Sequence, residues 1–432
     1  MGLQQETEVS MEQALEGVRV LDATQVMAGP FCTMLLGDLG ADVIKVEPPG
    51  GDPTRRWTGA RGDEAPSFWA INRNKRGMVL NLKDPRGQEI FRRLAARSDI
   101  LVENFRPGVM ASFGLDYESL RPLNPALVYA SISGFGQTGP YAQRGGFDLV
   151  AQGMSGIMSV TGEPGGPPVK CGIPVTDLAA GLFALQAILA AYVYRLRTGR
   201  GQYIDTSLLE AGIALSVWES AQYFSGGGIP EPVGSAHRMT APYQAFRCSD
   251  GYIIVGAANQ RSWERFARAI GLGELVDRPE FATDASRVQH RDQLARAIEA
   301  VTSTRPRAFW LELLESQGVP CGPILNYEEV FSDPHVQARG MVQELVHPVA
   351  GPIRVLGPAA PALGVLQRFG PAKVVGDDGT QAELLAELPA DPEAQAEALA
   401  ALVREGVRVV SFAERASGLE EVFLQVTRGA GG

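Results

Sequence analysis

Hydrophobic and polar positions in residues 18–48 follow two periods in turn. Val18-Arg19-Val20-Leu21-Asp22 has the two-residue repeat of a half-buried strand and runs into the small-residue turn Ala28-Gly29-Pro30. Residues 31–39 carry helical spacing and stop at Gly40, a residue that readily takes the left-handed end of a helix. Asp42-Val43-Ile44-Lys45-Val46-Glu47 is strand-like again and is closed by Pro48-Pro49. Strand, helix and strand predict a βαβ unit, and so a parallel sheet with right-handed, Rossmann-like winding. The alternation continues with a helix over 86–97, a strand over 100–104 and a strand over 127–133 that ends in Gly134-Phe135-Gly136. A long apolar helix follows from Asp177 to Thr198, then a strand over 202–206 and a helix through Phe224.

Ser225-Gly226-Gly227-Gly228 reads as a linker. Beyond it, residues 251–256 are strand-like and 261–316 hold amphipathic helical stretches. The expected fold class is α/β: a large domain built on a Rossmann-like parallel sheet, with a smaller α+β domain. The expected division is a tail at 1–15, the large domain at 16–225, the small domain at 226–335, a return segment at 336–365 and an extension at 366–432. The most apolar run, 178–194, is too short for a membrane span and reads as a buried core helix.

Charge and composition narrow the functional classes. A net charge of −10 argues against nonspecific nucleic-acid binding, which needs a basic surface to release counterions. The four cysteines are far apart and form no Cys-x-x-Cys pair, which fits reduced thiols in a cytoplasmic protein. His237, His290, His335 and His347 have no metal-ligand spacing, so no metal site is expected. The first βα turn, Gln25-Val26-Met27-Ala28-Gly29-Pro30, lacks the Gly-x-Gly-x-x-Gly that lets a backbone approach a dinucleotide pyrophosphate. Its helix N-terminus can still receive an anion. Asp177, at the head of the long apolar helix, reads locally as a cap whose charge the helix dipole favours.

A more specific pattern runs through the chain. Leu21-Asp22 with Ala28-Gly29-Pro30, then Leu39-Gly40-Ala41-Asp42-Val43-Ile44-Lys45-Val46-Glu47, resembles the signature of the family III CoA-transferases and the related α-methylacyl-CoA racemases. Asn74-Lys75-Arg76, Leu80-Asn81-Leu82-Lys83, Val102-Glu103-Asn104-Phe105-Arg106-Pro107-Gly108, Gly134-Phe135-Gly136 and Thr198-Gly199-Arg200-Gly201-Gln202 follow in the family's order. The resemblance spans about 16–362 and implies an acyl-CoA:carboxylate CoA-transferase that forms an aspartyl-CoA thioester, with Asp177 at the nucleophile's position. Coenzyme A is then a substrate, and no tightly bound cofactor is implied. By position, Val26, Met27, Lys75, Arg76, Leu80, Lys83, Asn104, Phe105 and Arg106 would contact CoA. The family's interlocked homodimer is expected, with no nucleic-acid or membrane partner.

Departures from the pattern narrow the substrate. Met27, Pro48 and Ser112 replace polar residues of formyl-CoA transferase, which argues against oxalate and formate. Gly146-Phe147-Asp148 puts phenylalanine where the racemases carry their histidine, and phenylalanine cannot carry a proton. Ser235-Ala236-His237 and Ala241-Pro242-Tyr243-Gln244-Ala245-Phe246 resemble members that use succinyl-CoA and dicarboxylic acids, with Arg238 a candidate partner for the second carboxylate. A racemase and an inactive CoA-binding homologue are the alternatives. Past about 365 the pattern stops. The tail, with a predicted helix at 393–405, strand at 407–412 and helix at 419–426, resembles the C-terminal accessory segment of ABC transporter ATPases, and the chain has no P-loop.

Overall fold

A computed structural model describes residues 13–57, 59, 65–347, 351–356, 382–387, 408–415 and 421–427. The chain runs β1 (Arg19–Ala23), α1 (Ala28–Asp38), β2 (Asp42–Glu47), α2 (Pro66–Asn72), β3 (Lys75–Val79), α3 (Pro85–Ala95), β4 (Ile100–Glu103), α4 (Val109–Ser112), α5 (Tyr117–Leu120) and β5 (Val128–Ser133). Next come α6 (Asp148–Met154), α7 (Ile157–Val160), α8 (Val175–Thr198), β6 (Tyr203–Ser207), α9 (Leu208–Leu215) and α10 (Val217–Phe224). Then follow β7 (Tyr243–Cys248), β8 (Gly251–Gly256), α11 (Gln260–Ala269), α12 (Asp284–Gln289), α13 (Arg291–Thr302), α14 (Arg307–Ser316) and β9 (Cys321–Pro323).

Two compact units divide the chain: residues 1–145, 180–207 and 335–432 form one, and 146–179 with 208–334 form the other. Residues 146–179 and 208–225, grouped with the large domain from the sequence, fall in the second unit.

The first unit is built on one sheet of order β3-β2-β1-β4-β5-β6, with every pair parallel. Its central strands are apolar on both faces: Val20, Leu21, Ile100, Leu101, Val102, Val128 and Ala130 have no exposed surface. A parallel sheet covered on both sides requires that. The strand order reverses between β1 and β4. In open α/β sheets, ligands bind in the crevice at the carboxyl ends of the two strands flanking such a reversal.

Helix α8 departs from the expected buried core helix. Ala179, Ala180, Ala184, Ile188 and Ala191 are buried, but Leu182 is 49% and Leu196 69% exposed, and Phe183 and Val193 are also on the surface. The small residues permit tight packing: a Cβ on Gly181 would stand 2.8 Å from the Ala28 carbonyl of α1. The large residues on the other stripe have no cover among the described residues.

In the second unit, the antiparallel sheet β7-β8-β9 packs with α11 and α14 around Phe246, Ile253, Trp263, Phe266 and Leu314. The C-terminal part of the chain adds the hairpin β10 (Val342–His347) with β11 (Gly351–Leu356). It also adds a three-stranded antiparallel sheet of β12 (Ala382–Glu387), β13 (Arg408–Arg415) and β14 (Glu421–Thr427). Of the helix expected at 419–426, the described residues from Glu421 onward form a strand instead, the central one of its sheet. Val422, Leu424 and Val426 recur at every second position, and β-branched residues favour pleated backbone that is paired on both edges. The strand expected at 407–412 is present as β13, and the helix expected at 393–405 lies outside the described residues.

Candidate active site

Asp177 sits in the first turn of α8, beside the buried Thr176. The Thr176 backbone N–H and hydroxyl donate to Asp148 Oδ1 at 3.0 and 2.7 Å. Gln152, one turn further along α6, donates to Asp148 Oδ2 at 2.6 Å and accepts the Cys171 N–H at 2.8 Å. One carboxylate thus ties the first residues of α6 to the free N–H groups that begin α8, which is what a helix start needs. Helix α9 closes against the same point, since a Cβ on Gly212 would stand 2.6 Å from Ser155 Oγ and 3.1 Å from the Thr176 methyl. Asp177 therefore projects from a fixed backbone.

The electrostatics differ from the dipole argument. Burial, and then the neighbouring charge of Asp148, push the Asp177 carboxyl up to about 7. Both disfavour the ionised form, and together they outweigh the helix dipole. A carboxylate of that basicity is half ionised near neutral pH and is a stronger nucleophile than an ordinary aspartate.

In the first unit, Val26, Met27, Asn104, Phe105 and Arg106, which the resemblance assigns to CoA, lie on the two loops that follow β1 and β4. Asn104, just past β4, accepts the Gln25 N–H and donates to the Gln25 carbonyl, both at 2.8 Å. That reciprocal pair fixes the loop after β1, where Val26 takes φ +70° and its N–H points at Asp52 Oδ2, 3.4 Å away. Met27 follows at the head of α1. Positive φ in a β-branched residue is strained and persists only where surrounding structure holds it. Here the holding group is buried: Lys45 donates to the Thr24 carbonyl at 2.8 Å and pairs with Asp52 at 3.0 Å. Asn104 thus positions the loop.

The other expected contacts are in different states. Lys75 is no free phosphate ligand, because its ammonium is 3.0 Å from the buried Asp22 and donates to the Pro30 carbonyl and Asn72 at 2.9 Å. Arg76 is exposed, but its guanidinium is held by Asp42 at 2.9 and 2.6 Å. The Leu80 side chain is buried in the core, and Phe105 packs against that core. Lys83 and Arg106 are exposed. Arg106 also borders a cavity of about 230 Å³ with Glu103, Tyr117, Tyr129, Ser131 and Tyr203.

The sequence profile of CoA-transferase family III matches residues 15–366. The chain belongs to the family III CoA-transferases. It is 45% identical over 347 residues to succinyl-CoA:glutarate CoA-transferase of Mus musculus, covering 80% of each chain. It is 42% identical over 339 residues to succinate–glutarate CoA-transferase of Agrobacterium fabrum, covering 77% of this chain and 85% of the relative. Among solved structures, a CAIB/BAIF family protein from Brucella suis is 40% identical with a TM-score of 0.71, covering 80% of this chain and 92% of that one.

This family III enzyme carries two features that sequence reasoning passed over. Asp148, in sequence only the neighbour of Phe147, anchors the start of α8 from 28 residues away, a separation no local motif reveals. Glu103 is buried in the family-like Val102-Glu103-Asn104 stretch, and burial drives its carboxyl to about 7 against hydrogen bonds from Ser131 and the Phe105 N–H. Phe147 immediately precedes α6 and is 71% exposed. Arg238 lies in the second unit with a mostly covered side chain, and its Nε is 3.9 Å from Glu219.

Proposed function

We propose that the enzyme moves CoA from succinyl-CoA to a dicarboxylic acid such as glutarate through an aspartyl-CoA thioester at Asp177. The observation that carries this reading is a half-ionised carboxylate on a fixed helix start, in a chain whose close relatives are named as succinyl-CoA:glutarate CoA-transferases. A carboxylate oxygen of Asp177 attacks the thioester carbonyl of succinyl-CoA. The C–S bond breaks, leaving a succinyl-aspartyl anhydride and CoA thiolate. The thiolate attacks the aspartyl carbonyl, the anhydride C–O bond breaks, and succinate leaves with the former Asp177 oxygen. The glutarate carboxylate then attacks the aspartyl thioester and expels thiolate. Thiolate returns to the glutaryl carbonyl of the new anhydride, releasing glutaryl-CoA and Asp177. Splitting the exchange this way keeps the activated carboxyl on the enzyme as a covalent thioester while one acid leaves and the other enters.

The Gln25–Met27 loop, Asn104 and Arg106 are the residues of the first unit that this reading assigns to CoA, and the exposed Lys83 adds a charge for its phosphates. A homodimer is part of the proposal. Leu182, Leu196, Ile213, Trp218 and Phe224 are exposed on α8, α9 and α10, and a second copy of the chain is the cover proposed for them. Racemisation is disfavoured because Phe147 offers no proton.

The test is trapping. Succinyl-CoA with hydroxylamine should convert the Asp177 carboxyl to a hydroxamate, located by peptide mass spectrometry. CoA exchange between acids that survives in Asp177→Asn would sink the mechanism. Deuterium uptake at the acyl α-carbon without trapping would replace it with epimerisation.

A further inference from the structure

The second unit holds three arginines close to one loop, and they are bonded very differently. Arg287 is fully buried and each of its three nitrogens is paired: it donates to the Ala241 and Phe281 carbonyls at 2.6 and 3.1 Å, to Gln260 at 2.9 Å and to Asp284 at 3.3 Å. That is how a structural arginine looks.

Arg238 and Arg291 do not look like that. Arg238 keeps only 16% of its side chain exposed, its Nε is buried without a hydrogen-bond partner, and its nearest carboxylate among the described residues, Glu219, stands 3.9 Å off. Arg291 donates one bond, from Nη2 to the Arg238 carbonyl at 3.0 Å, and its Nε is likewise buried and unpaired. Burial lowers the Arg291 pKa, and the charge of Arg238 lowers it further against the pull of the exposed Asp292. The Arg291 guanidinium thus braces the main chain of Arg238, and both side chains make fewer hydrogen bonds than they have donors. A buried unpaired donor is costly, so such a pair is poised for an anion. Arg291 also lines an open recess with His290, Asp292 and Arg296, which gives it a route to solvent.

The loop that bears Arg238 is held still. The His237 N–H donates to the Tyr243 carbonyl at 2.8 Å, and the His237 ring lies edge-on to Trp218 and Tyr243. The Gly234 N–H donates to the Gly162 carbonyl at 2.9 Å, so the loop is tied to the segment that leads into α8.

We propose that Arg238 and Arg291 together receive the non-reacting carboxylate of a dicarboxylic acyl group, and that Arg238 sets the preference for dicarboxylic over monocarboxylic acids. The proposal rests on the CoA-transfer reading above. In that reaction one carboxyl of the acid is consumed as thioester while the other stays ionised. A pocket that carries that second charge needs a planar, multi-donor partner, and a guanidinium supplies it. Acids without the second carboxylate leave the arginine donors unpaired, which is the strongest form of discrimination a polar site can make.

The experiment compares glutarate with butyrate as acceptors of CoA from succinyl-CoA, in the wild type, Arg238→Gln, Arg238→Lys and Arg291→Gln. Loss of one charge-assisted pair should raise the glutarate KM by about thirtyfold in Arg238→Gln, with a smaller change in kcat. The glutarate-to-butyrate ratio of kcat/KM should fall in the same variant, and Arg238→Lys should recover part of it. The rise in melting temperature that glutarate gives the wild type should be lost in Arg238→Gln and Arg291→Gln. An unchanged selectivity ratio in Arg238→Gln or Arg238→Lys overturns the proposal. So does an equal loss with both acceptors accompanied by a lower melting temperature, which marks a purely structural role. Should Arg238→Gln fail to fold, the ratio in Arg238→Lys decides. Trapping at Asp177 in the wild type separates the two claims: trapping with unchanged selectivity removes only the arginine pair. No trapping, but a glutarate-induced thermal shift lost in the variants, removes only the mechanism.

Discussion

The basicity of Asp177 makes a measurable prediction. Burial and the charge of Asp148 raise its carboxyl from the ordinary 3.8 to about 7. At about 1.4 kcal/mol per pKa unit, the site disfavours the ionised form by about 4 kcal/mol. In the proposed mechanism the attacking species is the carboxylate, so kcat/KM for the acyl donor should follow its population in the free enzyme. A group titrating near 7 is about one-eleventh ionised at pH 6 and about ten-elevenths at pH 8, so the rate should rise by about tenfold between them. Asp148→Asn removes the like charge while keeping an acceptor facing Thr176. The sign follows: with less repulsion the ionised form is favoured, the Asp177 pKa falls, and the limb moves toward acid. Because burial is the larger cause, the limb should stay above that of a solvated aspartate. Initial rates with succinyl-CoA and glutarate from pH 5 to 9, read by chromatography of glutaryl-CoA, measure this without a coupling enzyme. A flat profile, a limb below pH 5, or a limb in Asp148→Asn that moves upward would refute the reasoning.

Three further substitutions test the frame around the site. Glu103 has a folded pKa of about 7 against an ordinary 4.5, so the folded state binds the proton more tightly; stability falls as pH rises through that window and levels off above it. Glu103→Gln removes the penalty and should gain stability relative to wild type by about 3 kcal/mol more at pH 8 than at pH 4, read by urea denaturation; an equal change at both values contradicts the assignment. Lys75→Met strands the buried Asp22 and should cost about 3–5 kcal/mol in the same assay, whereas a large rise in CoA KM at unchanged stability would return Lys75 to the phosphates. Asn104→Ala deletes both bonds to Gln25 and should raise the CoA KM by about tenfold while costing about 1–2 kcal/mol, with unaltered kinetics arguing that the loop holds itself.

Much of the first unit was legible because local rules and the global fold agree there. The alternation in 18–47 gives β1, α1 and β2 with boundaries shifted by three residues at most, and Gly40 does take positive φ, at 103°. Asp177 is singled out only by its position in a long pattern, since its surroundings alone read as a cap. What escaped was non-local. Lys75 looks like any basic residue until Asp22, 53 positions earlier, is seen beneath it. The basicity of Asp177 comes from burial first and then from Asp148, neither of which local sequence reveals. Helix α8 was expected to be buried because it is apolar, yet apolarity does not say whether one's own chain or another surface supplies the cover. At 419–426 an acidic, leucine-containing stretch imitates a helix, and only pairing with two neighbouring strands decides otherwise.

The discontinuity of the first unit bears on synthesis. Strand β5 ends at Ser133 and its neighbour β6 begins at Tyr203, so a chain leaving the ribosome exposes the main-chain donors and acceptors of β5 while the intervening residues are still being made. An unpaired parallel edge is a template for pairing between nascent chains. Early translational arrest between those two strands should therefore yield chaperone-bound or aggregated fragments, and slow elongation there should harm the yield of folded enzyme more than slow elongation after Ser207.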